Sequence, residues 1–192
     1  VNTTRLEAFS DGVIAILITI MVLEFKTPHE ADLAALRPLL PLFLSYLLSF
    51  VFLGIYWNNH HHLMHITERV TGAVLWANLH LLFWLSLIPF VTGWMSEHHR
   101  EAVPVAAYGS VLLGAALSWS ILQGRIVRHR ANVRLREALG LDLKAKGSLA
   151  AYIAAVPLAF VWTPISIGLY VLVACMWLVP DRRIEAQIYR ET

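Results

Sequence analysis

The sequence predicts an all-α membrane protein of six short transmembrane helices, and three observations carry that prediction. The 192 residues are 58% apolar and only 15% charged, against roughly 45–50% and about 25% in ordinary soluble domains. Several uncharged runs reach the roughly 20 residues that a bilayer-spanning helix needs. The basic residues lie between or beyond those runs, mostly on one side. This composition excludes a disordered chain and argues against a soluble domain. A single cysteine, Cys175, excludes an intramolecular disulfide framework and a Cys-rich zinc module. The net charge of +2 is too small to point to nucleic acid, so where the charges fall matters more than their sum.

The first segment admits two readings. Only Gly12 to Leu23 separates Asp11 from Glu24, about 18 Å of helix, which is too short to span and would suit an interfacial or re-entrant piece. Alternatively a helix runs over about 5–25, carries Arg5, Glu7 and Asp11 at its inner end, and is terminated by Pro28. Ionisable groups at membrane depth are costly, which makes that charged end a functional feature by default. The first apolar run follows two acidic residues and lacks a small-residue cleavage site, so no cleavable signal peptide is expected.

The second span covers about 38–61, with Pro38 and Pro41 in its first turn, where a missing N–H costs little. The third covers about 70–96 without a formal charge; it contains Asn78 and His80, and Pro89 offers a kink site. The fourth covers about 102–124. Between Lys146 and Asp181 lie 34 uncharged residues, about 51 Å as one helix and well beyond a hydrocarbon core of about 30 Å. Pro164 disfavours helical geometry at Thr163. The stretch therefore reads as two short helices, about 147–163 and 164–180, with one long kinked helix as the alternative.

Six spans put both termini on one side. That side then holds twelve basic residues, among them Arg125, Arg128, Arg130, Arg134, Arg136, Lys144 and Lys146 in the loop after the fourth span; the other side holds only Lys26, Arg37 and Arg100. The bias places the N- and C-termini in the cytoplasm and explains the basic loop without nucleic acid.

Gly12, Ile16, Thr19 and Leu23 follow at spacings of four, three and four, one narrow stripe on a helix, with Ile20 beside it. The stripe suits an ordinary buried face, and it equally suits a seam around a symmetry axis. No Thr-Val-Gly-Tyr-Gly segment is present, so a channel built from this chain would select and gate with side chains, by rings of Ile and Leu that control wetting. Thr19 would be the one hydroxyl ring, unless its hydroxyl simply bonds back to the Ala15 carbonyl.

Arg5-x-x-x-Phe9-Ser10-Asp11, followed by Gly12-Val13-Ile14-Ala15-Ile16-Leu17-Ile18-Thr19, resembles the opening signature of the transmembrane protein 175 family, potassium-permeable channels of endosomes and lysosomes with bacterial relatives. The likeness extends to Trp57-Asn58-Asn59-His60-His61, to Asn78-Leu79 and to Pro89-Phe90. It implies that Ile16, five residues after the Asp, forms the narrowest hydrophobic constriction, and that Thr19, Ile20 and Leu23 also line the pore. It implies as well that Arg5, Ser10 and Asp11 belong to a structural network bracing the first helix, with partners among His60, His61 and Asn78. Arg5 and Asp11 lie about 240° apart around a helix, too far to pair simply with each other. Because the histidine run continues through His62 and His65, the partner histidine stays open. The resemblance further implies a homotetramer of single six-span chains, a bacterial inner-membrane location and monovalent cations as permeant species.

Competing chemistries fit less well. His61 and His65 stand one helical turn apart, a possible metal-ligand spacing, but no carboxylate lies beside them on the second span, and no metal or cofactor is expected. Neither a nucleophile–base pair nor a phosphate-binding glycine loop is present, so no enzyme is expected. A small secondary transporter for cations or protons is the main alternative, since short or broken helices also mark transporters.

Overall fold

The structure, a computed structural model, describes residues 3–65, 67, 69–127 and 143–178. The described residues form seven α-helices: α1 (Thr3–Val22), α2 (Leu40–His65), α3 (Gly72–Ser86), α4 (Ile88–Glu97), α5 (Ala102–Val127), α6 (Leu143–Leu158) and α7 (Thr163–Leu178), with a 3-10 helix over Ala34–Leu39 before α2. Helices α3 and α4 are one rod interrupted at Leu87, which leaves six rods among the described residues. The stretches Ala34–His65, Gly72–Glu97 and Ala102–Val127 are long and apolar enough to cross a membrane.

Several boundaries differ from the sequence reading, each for a local reason. Helix α1 is a single 20-residue helix, about 30 Å long, so the charged end belongs to it. It stops at Val22 and not at 25, because Leu23, Glu24 and Phe25 donate to the carbonyls of Ile20, Met21 and Val22; this i→i+3 tightening ends the helix before Pro28 is reached. Helix α2 continues past 61 to His65. The third span opens with Thr71, whose hydroxyl accepts from Val74 N–H at 3.3 Å, and it breaks at Leu87. Pro89 sits in the first turn of α4 and cannot donate to the Leu85 carbonyl, so the ladder is interrupted just before it.

The long uncharged stretch is two helices. Pro157 closes α6, residues 159–162 form the turn, and Pro164 falls in the first turn of α7, where its lost N–H is harmless. Helix α6 is described from Leu143, ahead of the expected 147, so Lys144 and Lys146 are helical. The sixth helix is described only to Leu178. The basic positions Arg128 to Arg136 and Arg182 to Arg190 lie outside the described residues.

Helix α5 occupies the centre, packed against α3, α4, α6 and α7. Its small residues allow close approach, the usual device where lipid removes the hydrophobic drive for helix association. Gly109 lies under the Tyr170 ring and Gly114 under Trp84. Buried hydroxyls are satisfied within the bundle, as an environment without water requires. Thr92 donates to Ile88 O (2.6 Å), Ser49 bonds Thr92 (2.7 Å), and Tyr108 bonds Ser49 (2.9 Å), which joins α2, α4 and α5. Ser166 donates to Ala155 O and Tyr170 to Val105 O, fixing α7 on α6 and α5. Helix α1 lies outside this centre, against α2, α3 and α4.

Gly114→Ala would drive a methyl into the Trp84 ring, and Gly109→Ala into a Tyr170 hydroxyl already held by Val105. Each is expected to lower stability by about 1–3 kcal/mol, read as an earlier thermal loss of the intact peak in detergent size-exclusion chromatography. Gly124→Ala, with nothing within 4 Å of the added carbon, should leave that transition unchanged or raise it.

Candidate pore helix and its polar anchor

Helix α1 is covered on one face only. Leu6, Ser10, Ile14, Leu17 and Met21 are buried against the bundle. Phe9, Gly12, Ile16, Thr19 and Ile20, with Leu23 just beyond the helix, are at least partly exposed. The four positions expected to line a pore therefore share the bare side, with Ile16 57%, Ile20 43% and Leu23 77% accessible. A methyl group added at Gly12 would meet no neighbouring atom within 4 Å. The Thr19 hydroxyl donates to the Ile16 carbonyl at 2.9 Å, one residue later than the expected Ala15 acceptor and the same kind of local back-bond.

The covered face is anchored by hydrogen bonds. Ser10 Oγ donates to Leu6 O at 2.9 Å and accepts from Asn78 Nδ2 at 3.0 Å. Asn78 Oδ1 in turn lies 2.8 Å from His60 Nε2. Since the Asn78 amide nitrogen is spent on Ser10, its oxygen is the acceptor and His60 carries the proton on Nε2. Ser10, His60 and Asn78 are all fully buried, so α1, α2 and α3 are tied by one chain of polar atoms. Asp11 Oδ1 and His60 Nδ1 are buried beside it without a hydrogen-bond partner among the described residues.

The expected network is thus assembled in a different pattern. Of its six residues, Ser10, His60 and Asn78 are joined directly. His61 faces Glu7 instead of Arg5 or Asp11, with Nδ1 2.7 Å from Glu7 Oε1. Arg5 is exposed and makes no ion pair among the described residues. The reason is rotational: Glu7 and Ser10 lie about 60° apart on the helix, whereas Arg5 is about 140° from Ser10, out of reach of the anchored face. Sequence reasoning placed Glu7 in the charged end of the helix but gave it no partner; its position one turn before Asp11 was the available signal.

The family model for the endosomal/lysosomal potassium channel TMEM175 matches residues 5–89, the stretch containing α1 and its anchor. The chain is 50% identical over 185 residues to a potassium channel of Chryseobacterium sp., covering 96% of each chain. It is 33% identical over 183 residues to a potassium channel of Streptomyces collinus, covering 88% of each. Its fold superposes with a TM-score of 0.80 and 28% identity on the crystal structure of a lysosomal potassium-selective channel TMEM175 homolog from Chamaesiphon minutus, covering 92% of this chain and 96% of that one. The all-helical fold, the membrane-length apolar helices and a relative matched nearly end to end lead to one conclusion: this chain is an integral membrane protein of the TMEM175 family, a family of channels and not of enzymes.

Proposed function

We propose that four copies of this chain form a potassium-permeable cation channel whose pore is lined by the bare face of α1. The observation that carries this reading is the one-sidedness of α1: its own subunit covers Ser10, Ile14 and Leu17 and leaves Ile16, Thr19, Ile20 and Leu23 uncovered. Around a fourfold axis, Ile16, Ile20 and Leu23 make stacked apolar rings that block ions when dewetted, and tilt or rotation of α1 widens them. The Thr19 proton is given to Ile16 O, which leaves its oxygen free to accept a cation. Exposed Glu24, Glu30 and Asp32 follow α1 and concentrate cations at the outer mouth. Selection by side chains, without a carbonyl cage, gives only moderate discrimination between potassium and sodium. The positive-inside bias orients both termini to the cytoplasm of a bacterial inner membrane.

Ile16→Asn should wet the narrowest ring and raise potassium flux into proteoliposomes by about tenfold, equivalent to ~1.4 kcal/mol off the barrier. Unchanged flux and ion preference would remove Ile16 from the gate. Asn78→Leu leaves Ser10 without its donor and the His60 Nε2–H without an acceptor, at about 1–3 kcal/mol for each buried group. Chemical crosslinking should then capture fewer tetramers, while those that survive keep the parent ion preference; a shifted preference in fully assembled protein would instead put this network in the ion path.

A further inference from the structure

One contact at the charged end of α1 plays no part in the pore itself. Glu7 Oε1 meets His61 Nδ1 at 2.7 Å across 54 positions of sequence. The other carboxylate–histidine contact among the described residues, His98 with Glu101, lies within one loop, so Glu7–His61 is the one that joins two helices. The His61 ring is held by neighbours one turn away on each side, stacked at 6.3 Å on Trp57 with planes 24° apart and at 6.3 Å on His65 with planes 25° apart. That sandwich fixes the imidazole plane and presents Nδ1 to α1.

We propose that Glu7 and His61 are positioning residues for permeation, a tie between the pore helix and α2 that tightens when the imidazole is charged. The proposal rests on the reading of α1 as the pore lining. Because α1 touches its own subunit along one face, tilting it to dilate the Ile16 ring moves its charged end relative to α2, and the Glu7–His61 contact resists that movement. With a neutral ring the contact is an ordinary hydrogen bond; with imidazolium it is a charge-assisted one, roughly twice as strong. Histidine is the side chain whose ordinary charge change falls between about pH 5 and 8.

Among the described residues, the titratable groups against His61 are Glu7 from α1 and His60, His62 and His65 on its own helix. The His80 side chain of α3 is engaged elsewhere, by Trp84 and by Ser118 of α5. The side chains of His61 and Glu7 are 50% and 24% accessible, so the contact has the strength of a partly solvated pair. Its effect on flux is therefore about two- to fivefold. Protonation strengthens the tie, so flux falls when the solution bathing this end is acidified.

The test is potassium flux through reconstituted full-length protein, with pH stepped on one face of the liposome at a time, for the parent chain, Glu7→Gln, His61→Gln and His62→Gln. The expected result is a severalfold fall on acidifying one face of the parent, flattened in Glu7→Gln and in His61→Gln, kept in His62→Gln and restored by Glu7→Asp. Equal size-exclusion profiles separate a lost tie from a lost fold, and the two single variants report on the same pair independently. A parent flux indifferent to pH, or a parent-like profile in either Glu7→Gln or His61→Gln, overturns the tie. Failure of Ile16→Asn to change flux overturns the pore reading instead, whatever the pH profiles show.

Discussion

The hydrogen bond that Asn78 donates to Ser10, with Asn78 itself held by the bond it accepts from His60, sets how α1 is turned about its own axis. At 100° per residue, with Ser10 pointing into the bundle, Thr19 lies about 180° from it around the helix, Gly12 about 160°, Leu23 about 140° and Ile16 about 120°. One polar anchor therefore turns the whole stripe outward. Ile20, about 80° from Ser10, falls at the flank, which matches its smaller accessibility beside Ile16 and Leu23. A purely apolar seam would leave neighbouring rotations of α1 close in energy, because lipid and protein are similar solvents for Leu and Ile. Asn78 Nδ2 meets Ser10 Oγ only when that face of α1 is turned inward, and the cost of leaving the buried amide unpaired selects that rotation.

The remainder of the bundle supplies a rigid wall for that anchor. Helix α5 sits centrally because its glycines accept the Trp84 and Tyr170 rings, and the Thr92–Ser49–Tyr108 chain holds α4 where α1 rests on it. Most hydroxyls in the helices bond back to a carbonyl three or four residues earlier, as Ser10, Thr19, Thr92 and Ser118 do. The polar bonds that cross between helices are few, and they fall where a helix must keep its orientation. Helix α1 is covered on one face only, as the proposed movable pore lining requires.

Periodicity in the sequence was enough to find the stripe on α1, since spacing along one helix is a local property. The same holds for the long apolar runs and for the division of the last apolar stretch into two helices, although the turn falls over 159–162, ahead of the expected Thr163-Pro164 hinge, because a proline is better tolerated inside the first turn of α7 than at the hinge itself. Pairings between helices were harder to read. Family resemblance named Ser10, His60 and Asn78 among a set of polar residues, but which atoms meet depends on helix rotation and register. Neither is encoded by spacing, and so Glu7 with His61, 54 residues apart, was missed while Arg5 was given partners it does not meet among the described residues. The break at Leu87 shows the same limit on a small scale: Pro89 marks a disruption, and the interrupted bond lies on the preceding turn.

The central claim is that the bare face of α1 borders the ion path and is not covered by lipid. Cysteine scanning along α1, in a Cys175→Ser background because Cys175 is exposed, tests it most directly through flux before and after a small water-soluble cationic thiol reagent. Modification at positions 12, 16, 19 and 23 should block potassium flux, with positions 14, 17 and 21 on the covered face inert. Inert positions along the bare face, with block arising from another helix, would contradict the account.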